Sequence, residues 1–415
     1  MPTINSKTYE QNFLSPKVDA SKLFVYFLFI PLLIIYHFAY GYDLPEVLRS
    51  IFYILPFAGL IVLFICNLFS PESKLKLSVS YIQLAVAFLV IVAIGLYLNA
   101  KDIYFSTFYR DILIFVMPLL LFAFEWRFSE RQFNWLFITA VFSFAAWKQF
   151  DLELNILNTI LTTSQSDTEY HFGCVVGIFV IYYLYKKKWL LLAISILFLS
   201  LVSKRASLLG LFAAVPIYYF IIKPAKLYDK KLWLFVCLFC YYMFFWMIGT
   251  NIEFFGKLFL NIIGKGEMDL DYFLTGRMIL VNLLQPEILD RGFLSFMFGN
   301  GPGQAEVFLW KTMRHANIYL WMAKPFLVHN DFLKMQFEIG FIGATLSFFI
   351  FYYLYAVSRL GIFIFLYTIP LFLIDNTIIY LYNILVGCIA ARVFDKSTPN
   401  EYNIFSSFFG FFRRG

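Results

Sequence analysis

Residues 189–222, WLLLAISILFLSLVSKRASLLGLFAAVPIYYFII, are two apolar runs parted by Ser203-Lys204-Arg205. A helix needs roughly 20 apolar residues to cross a bilayer, so runs of this kind are membrane-span material. Working outward, the pattern recurs at about 23–40, 48–69, 79–98, 103–124, 133–150 and 171–185 before this pair, then at 232–249, 331–356, 360–374 and 377–392 after it. Of the 415 residues 61% are hydrophobic and 14% charged, and the mean hydropathy is +0.75, beyond what a water-soluble surface allows. The expected fold is therefore an all-α polytopic membrane protein with twelve candidate spans and a large outer loop carrying amphipathic helices. A soluble enzyme on a membrane anchor is excluded.

The first 22 residues are polar and no cleavage pattern follows the first apolar core, so the run from residue 23 reads as a retained signal anchor. The organisation expected is a cytoplasmic N-terminus over 1–22, spans one to nine within 23–249, an outer loop over 250–328, spans ten to twelve within 329–392, and a cytoplasmic C-terminus over 393–415. Cations decide the sidedness. One set of alternate connections and ends holds nineteen Lys and Arg, among them Lys74, Arg127, Arg131, Lys186, Lys187, Lys188, Arg359 and Arg392. The opposite short connections hold five, Arg49, Lys101, Lys148, Lys204 and Arg205, and the positive-inside rule then puts both termini in the cytoplasm.

The net charge of +7 is spread over short gaps between spans rather than clustered on one face, which argues against nucleic acid as a partner. Five cysteines all lie in or beside apolar runs and imply no disulfide framework. Cys237 and Cys240 form a C-x-x-C without the strand-turn-helix setting of a redox motif and read as packing residues. The 54 Phe and 28 Tyr are distributed over every span, as lipid-facing and interfacial aromatics are. No repeat and no matched pair of broken helices suggests an inverted-repeat transporter.

Ionisable groups at membrane depth are functional candidates by default. Arg110-Asp111 in the fourth run reads first as structural, paired with each other or with a neighbouring helix, and His37 and His171 as interfacial or packed. Ser203-Lys204-Arg205 follows a short run, which draws Arg205 below the outer surface. There its five-donor fork suits a phosphate or diphosphate, with interfacial snorkelling as the alternative. In the outer loop, Thr275-Gly276-Arg277 puts a second arginine beside a flexible glycine. Gly299-Asn300-Gly301-Pro302-Gly303 permits a sharp turn whose amides face an anion. The turn lacks the Gly-Lys-Ser/Thr ending of a P-loop, and Asp269-Leu270-Asp271 reads as a solvated acidic turn rather than a metal site. His329-Asn330-Asp331 closes the loop and leads to Glu338-Ile-Gly-Phe-Ile-Gly. A histidine at a span's outer end suits a general base oriented by Asn330 or Asp331, with a structural cap as the alternative.

Taken in order, Ser203-Lys204-Arg205 between two spans, a long outer loop with Thr275-Gly276-Arg277 and the glycine turn, then His329-Asn330 and the Glu338 stretch resemble the O-antigen ligase/polymerase superfamily. The motifs cover about residues 190–350, and Lys204 stands where a plain Ser-Arg is common. The resemblance implies a bacterial inner-membrane glycosyltransferase whose active site faces the periplasm and which needs neither metal nor cofactor. Donor and acceptor would be undecaprenyl-diphosphate-linked oligosaccharides, with membrane lipids and a chain-length regulator as further partners. His329, Arg205 and Arg277 would be the catalytic residues, Lys204, Ser203, Asn330, Asp331, Gly301 and Gly303 would bind substrate, and Glu338 would support them. Two arginines neutralise the leaving diphosphate, a histidine activates the attacking hydroxyl, and a single displacement inverts the anomeric centre. A repeat-unit polymerase is the leading expectation, a ligase to lipid A core or protein the second, and a lipid-linked oligosaccharide flippase the third.

Overall fold

The computed structural model describes residues 79–99, 103–122, 128–148, 173–202, 205–223, 234–240, 277–315, 330–374 and 382–393, with short pieces at 25–26, 30–31, 54–55, 57–62, 65, 242–243 and 328. The expected spans at 23–40 and 48–69, the two termini and loop residues 250–276 lie mostly or wholly outside these. The described chain is all-α. Its helices are α1 Val79–Asn99, α2 Phe105–Phe122, α3 Glu130–Lys148, α4 Gly173–Tyr185, α5 Trp189–Val202 and α6 Arg205–Pro216. They continue with α7 Arg277–Asp290, α8 Phe293–Phe298, α9 Gln304–His315, α10 Asp331–Tyr355, α11 Arg359–Ile374 and α12 Tyr382–Ala391.

Local chemistry explains where these helices turn. Lys187, at φ 57°, closes a tight hairpin between α4 and α5, with the Lys186 and Lys188 amides donating back to Tyr182 and Tyr183 at 2.9 Å each. Pro216 lacks an amide to donate, and the chain passes from α6 into a π-helix at Ile217–Ile222. Asn330 caps α10, its side chain accepting the Leu333 amide at 3.0 Å.

A layer of α4, α6, α10, α11 and α12 forms the centre, with α6 on α11, α4 on α5 and α12, and α10 on α11 and α1. Helix α4 is apolar all round and buried from Gly173 to Tyr183, as such a helix must be in the interior of a bundle. Aromatic rings fill the gaps between helices. Tyr218 and Phe363 stack at 4.2 Å, and Phe133 packs on Phe179, Tyr182 and Tyr183. The outside of the bundle is apolar too, with Leu89 and Val90 of α1, Ile196 and Leu197 of α5, and Phe212, Phe220 and Phe239 all exposed. Among the described residues one helix, Asp331–Tyr355, is long and apolar enough to cross a membrane, and Gln83–Leu98, Gly173–Tyr185, Trp189–Val202, Ala206–Ile222 and Arg359–Phe372 are shorter apolar helices.

The connections sort to two ends. At one end Phe128 bridges Val393, Lys188 pairs with Glu130, Ser358 Oγ donates to the Ala391 carbonyl at 2.8 Å, and Arg392 Nη1 donates to the Leu354 carbonyl at 2.5 Å. These are connections of the cation-rich set. At the other end the start of α2, the end of α1, the start of α10 and the loop hairpin α8–α9 come together.

Candidate functional site

Helix α10 is not continuous. At Gly340 the backbone takes φ 67° and ψ −175°, a conformation open in practice to glycine alone, and the helix breaks there. A break strands carbonyls that an intact helix would satisfy, and the turn between α8 and α9 supplies the missing donors. The Asn300 amide donates to the Phe337 carbonyl at 2.9 Å, the Asn300 side chain to the same carbonyl at 3.0 Å, and the Gly301 amide to the Glu338 carbonyl at 2.8 Å. Turn and break fit because both lack side chains: a Cβ on Gly299 would collide with the Glu338 carbonyl, and one on Gly340 with Met297 and Gly299. Arg291, at the end of α7, fixes the same turn, donating to Asn300 Oδ1 at 2.9 Å and lying 5.3 and 5.1 Å from the ring centres of Phe308 and Phe337.

Beneath the turn lies a buried ionic cluster built from three elements. Glu306 of α9 accepts Arg110 Nη2 at 2.6 Å and Lys334 Nζ at 2.7 Å on a single oxygen. Asp111 accepts Arg110 Nε at 2.9 Å and Lys334 Nζ at 2.7 Å. Glu338, one turn along α10 from Lys334, stands 3.6 Å from its ammonium and accepts the Ala305 amide at 3.3 Å. The side chains of Asp111, Glu306 and Glu338 are 0% exposed, that of Lys334 4% and that of Arg110 13%, so the cluster is closed to solvent except along one edge of Arg110. Two cations thus face three carboxyl groups, and each carboxyl has at least one partner from another helix or from the cation one turn away.

The residues singled out from the sequence divide into three groups. Glu338, Asn330, Asp331, Gly301 and Gly303 are brought to this end of the bundle and all are buried. Their roles are visible: Asn330 is a helix cap, and Gly301 and Gly303 press on Leu96 and Thr107. The amides of Asn300 and Gly301 are committed to α10, so the turn does not hold them out to an anion. In the second group, Arg205 and Arg277 are the first residues of α6 and α7, and their side chains lie outside the described residues. Helix α7 packs against α9 and α10, and α6 is braced by Ser207, which donates to the Gly173 carbonyl at 3.0 Å and meets Tyr367 Oη at 2.5 Å. Ser203, Lys204 and His329 form the third group and lie outside the described residues, as do Asp269, Asp271, His37 and His171.

Arg110 and Asp111 pair with each other and also with neighbouring helices, through Glu306 and Lys334, two partners that adjacency does not name. Lys334 and Glu338 four residues apart in an apolar helix were the available signal, since two charges on one face of a span need company. Glu306, in a polar loop stretch, gave none. Among the described residues no group of three or more His, Cys, Asp or Glu is placed to hold a metal ion. No family model, curated protein or solved structure matches the chain.

Proposed function

We propose that the chain is a membrane glycosyltransferase of about twelve spans that polymerises surface polysaccharide. In this reading it transfers a polyprenyl-diphosphate-linked glycan onto the next lipid-linked repeat unit on the outer face of a bacterial inner membrane. The observation that carries the reading is that Asn330, Asp331, Glu338 and the glycine turn gather at the end of the bundle opposite the cation-rich connections. In this reading Arg205 and Arg277 hold the diphosphate, which matches the bidentate fork of arginine. His329, next to the Asn330 cap, is then the base that takes the proton of the acceptor hydroxyl, and no carboxylate nucleophile is required.

Two further features support a membrane setting: the outward apolar side chains of α1, α5 and α6, and the gathering of the cation-rich connections at the end opposite the glycine turn. A flippase draws some support from the broken α10 beside buried charges, a transporter trait. The break is filled by loop backbone, and both cations of the cluster are paired with carboxylates, which favours surface chemistry over a charged pathway.

The test is the length distribution of surface and lipid-linked glycan in cells lacking the chain, with and without complementation. Single repeat units on the surface acceptor support the polymerase. Long glycan stranded on the carrier at the outer face replaces it with a ligase, and short units trapped at the inner face replace it with a flippase.

A further inference from the structure

We propose that Glu306 is a positioning residue, the tie by which the outer-loop hairpin α8–α9 is held inside the bundle. Three observations converge. Glu306 is the one carboxylate in the cluster that belongs to the hairpin, and its single engaged oxygen takes a guanidinium from α2 and an ammonium from α10 at 2.6 and 2.7 Å. The Asn300, Gly301 and Ala305 amides and the Asn300 side-chain amide donate within two residues on α10, at Phe337 and Glu338, and Asn300 Oδ1 is held by Arg291. Glu306 therefore adds the only described ionic contact from the hairpin to α2, and it fixes the turn from a second direction. Lastly, the contact surfaces are shaped for docking: Ala305 is fully buried, the Gly95 side of α1 meets the Phe298 carbonyl, and Gly303 meets Thr107.

Charge explains why this tie governs the hairpin. A hairpin leaving the bundle would expose Arg110 and Lys334 with Asp111 and Glu338 still beside them, and would carry Glu306 away from both cations. Separating one member from a buried ionic set is far costlier than breaking a surface pair. The hairpin consequently stays seated while Glu306 keeps both cations, and the break in α10 stays filled. Because α7 ends against the same turn through Arg291, and Asn330 caps α10, the seating also sets α7 relative to α10. The inference concerns geometry and does not rest on the glycosyl-transfer reading.

The experiment uses the full chain in proteoliposomes, with its five native cysteines replaced and Ala305→Cys introduced as a reporter. Labelling by a membrane-impermeant maleimide reads how often the hairpin leaves. Two isosteric changes each neutralise one fully buried carboxylate of the same cluster: Glu306→Gln on the hairpin and Asp111→Asn on α2. Glu306→Gln is expected to speed labelling about tenfold or more, and Asp111→Asn less than about twofold, because local opening is governed by ties that cross the opening surface. Equal rates in the two variants, or an unchanged rate in Glu306→Gln, overturn the proposal. If Glu306→Gln does not accumulate in the membrane, Glu306→Asp, which keeps the charge but shortens the reach, carries the same comparison with a smaller rise. Glycan transfer read in the same samples separates the two ideas: labelling as expected without transfer in the parent removes the functional reading and leaves the tie in place.

Discussion

Single residues at the turn differ greatly in what their loss costs, and the reason is burial of charge. Lys334→Met removes the ammonium that holds Asp111 and Glu306 together, leaving buried carboxylates to share Arg110. Breaking such a set costs about 3–5 kcal/mol, whereas Asn330→Ala removes one capping bond worth about 1 kcal/mol. Thermal melts in detergent should place Lys334→Met several times further below the parent than Asn330→Ala. Similar melting temperatures would mean that the cluster is not a stability element. Arg205 is tested differently, through chemistry. Arg205→Lys keeps the charge and loses the fork, so transfer should fall at least tenfold with the protein still inserted, and parental transfer would reduce Arg205 to a point charge. At this scale the sequence was informative where partners are adjacent, as in Arg110-Asp111. It was silent on Glu306, whose partners lie 196 and 28 residues away.

Helices and turns tell a different story, because the decisive feature is the fit between two of them. Glycines 340 and 343 are of the small type that lets helices approach closely. Gly343 does this, with Ile339 and Ile91 next to it, but Gly340 instead breaks the helix and admits the loop. Spacing alone gives no sign of the difference, since the break exists only because the Gly299–Gly303 turn supplies donors to Phe337 and Glu338. Two alanine substitutions separate conformational strain from this fit. Gly292 also has positive φ, at 89°, yet a Cβ there meets nothing within 4 Å. Gly292→Ala should cost only the strain of that glycine-favoured backbone region, about 1–3 kcal/mol. Gly340→Ala adds a collision with Met297 and Gly299 and should displace the hairpin as well. The expected result is a modest melting shift for Gly292→Ala and either no folded protein or strongly raised Ala305→Cys labelling for Gly340→Ala. Equal shifts would show that strain, not fit, is all that Gly340 contributes.

At the scale of the whole molecule, apolar composition announced the helical bundle, and the alternation of cations announced which connections share an end. The described contacts agree with that sorting: Phe128, Glu130, Lys188, Ser358 and Arg392 gather together, away from Gly95, Thr107 and the glycine turn. Sorting by end does not say which end faces out, and here physical chemistry supplies the expectation, because Lys and Arg are retained on the cytoplasmic side during insertion. Arg131 is exposed at the cation-rich end, and Phe293 is exposed at the other, beside the turn. In intact cells an impermeant maleimide should label Phe293→Cys directly and Arg131→Cys only after permeabilisation. The reverse pattern would turn the molecule over and place Arg205 and Arg277 away from a lipid-linked glycan that has already crossed. Labelling of both from one side would dissolve the two-ended sorting itself. Orientation thus comes before chemistry: a diphosphate on the outer leaflet can meet these arginines only if the turn, the break in α10 and the start of that helix share the outer face.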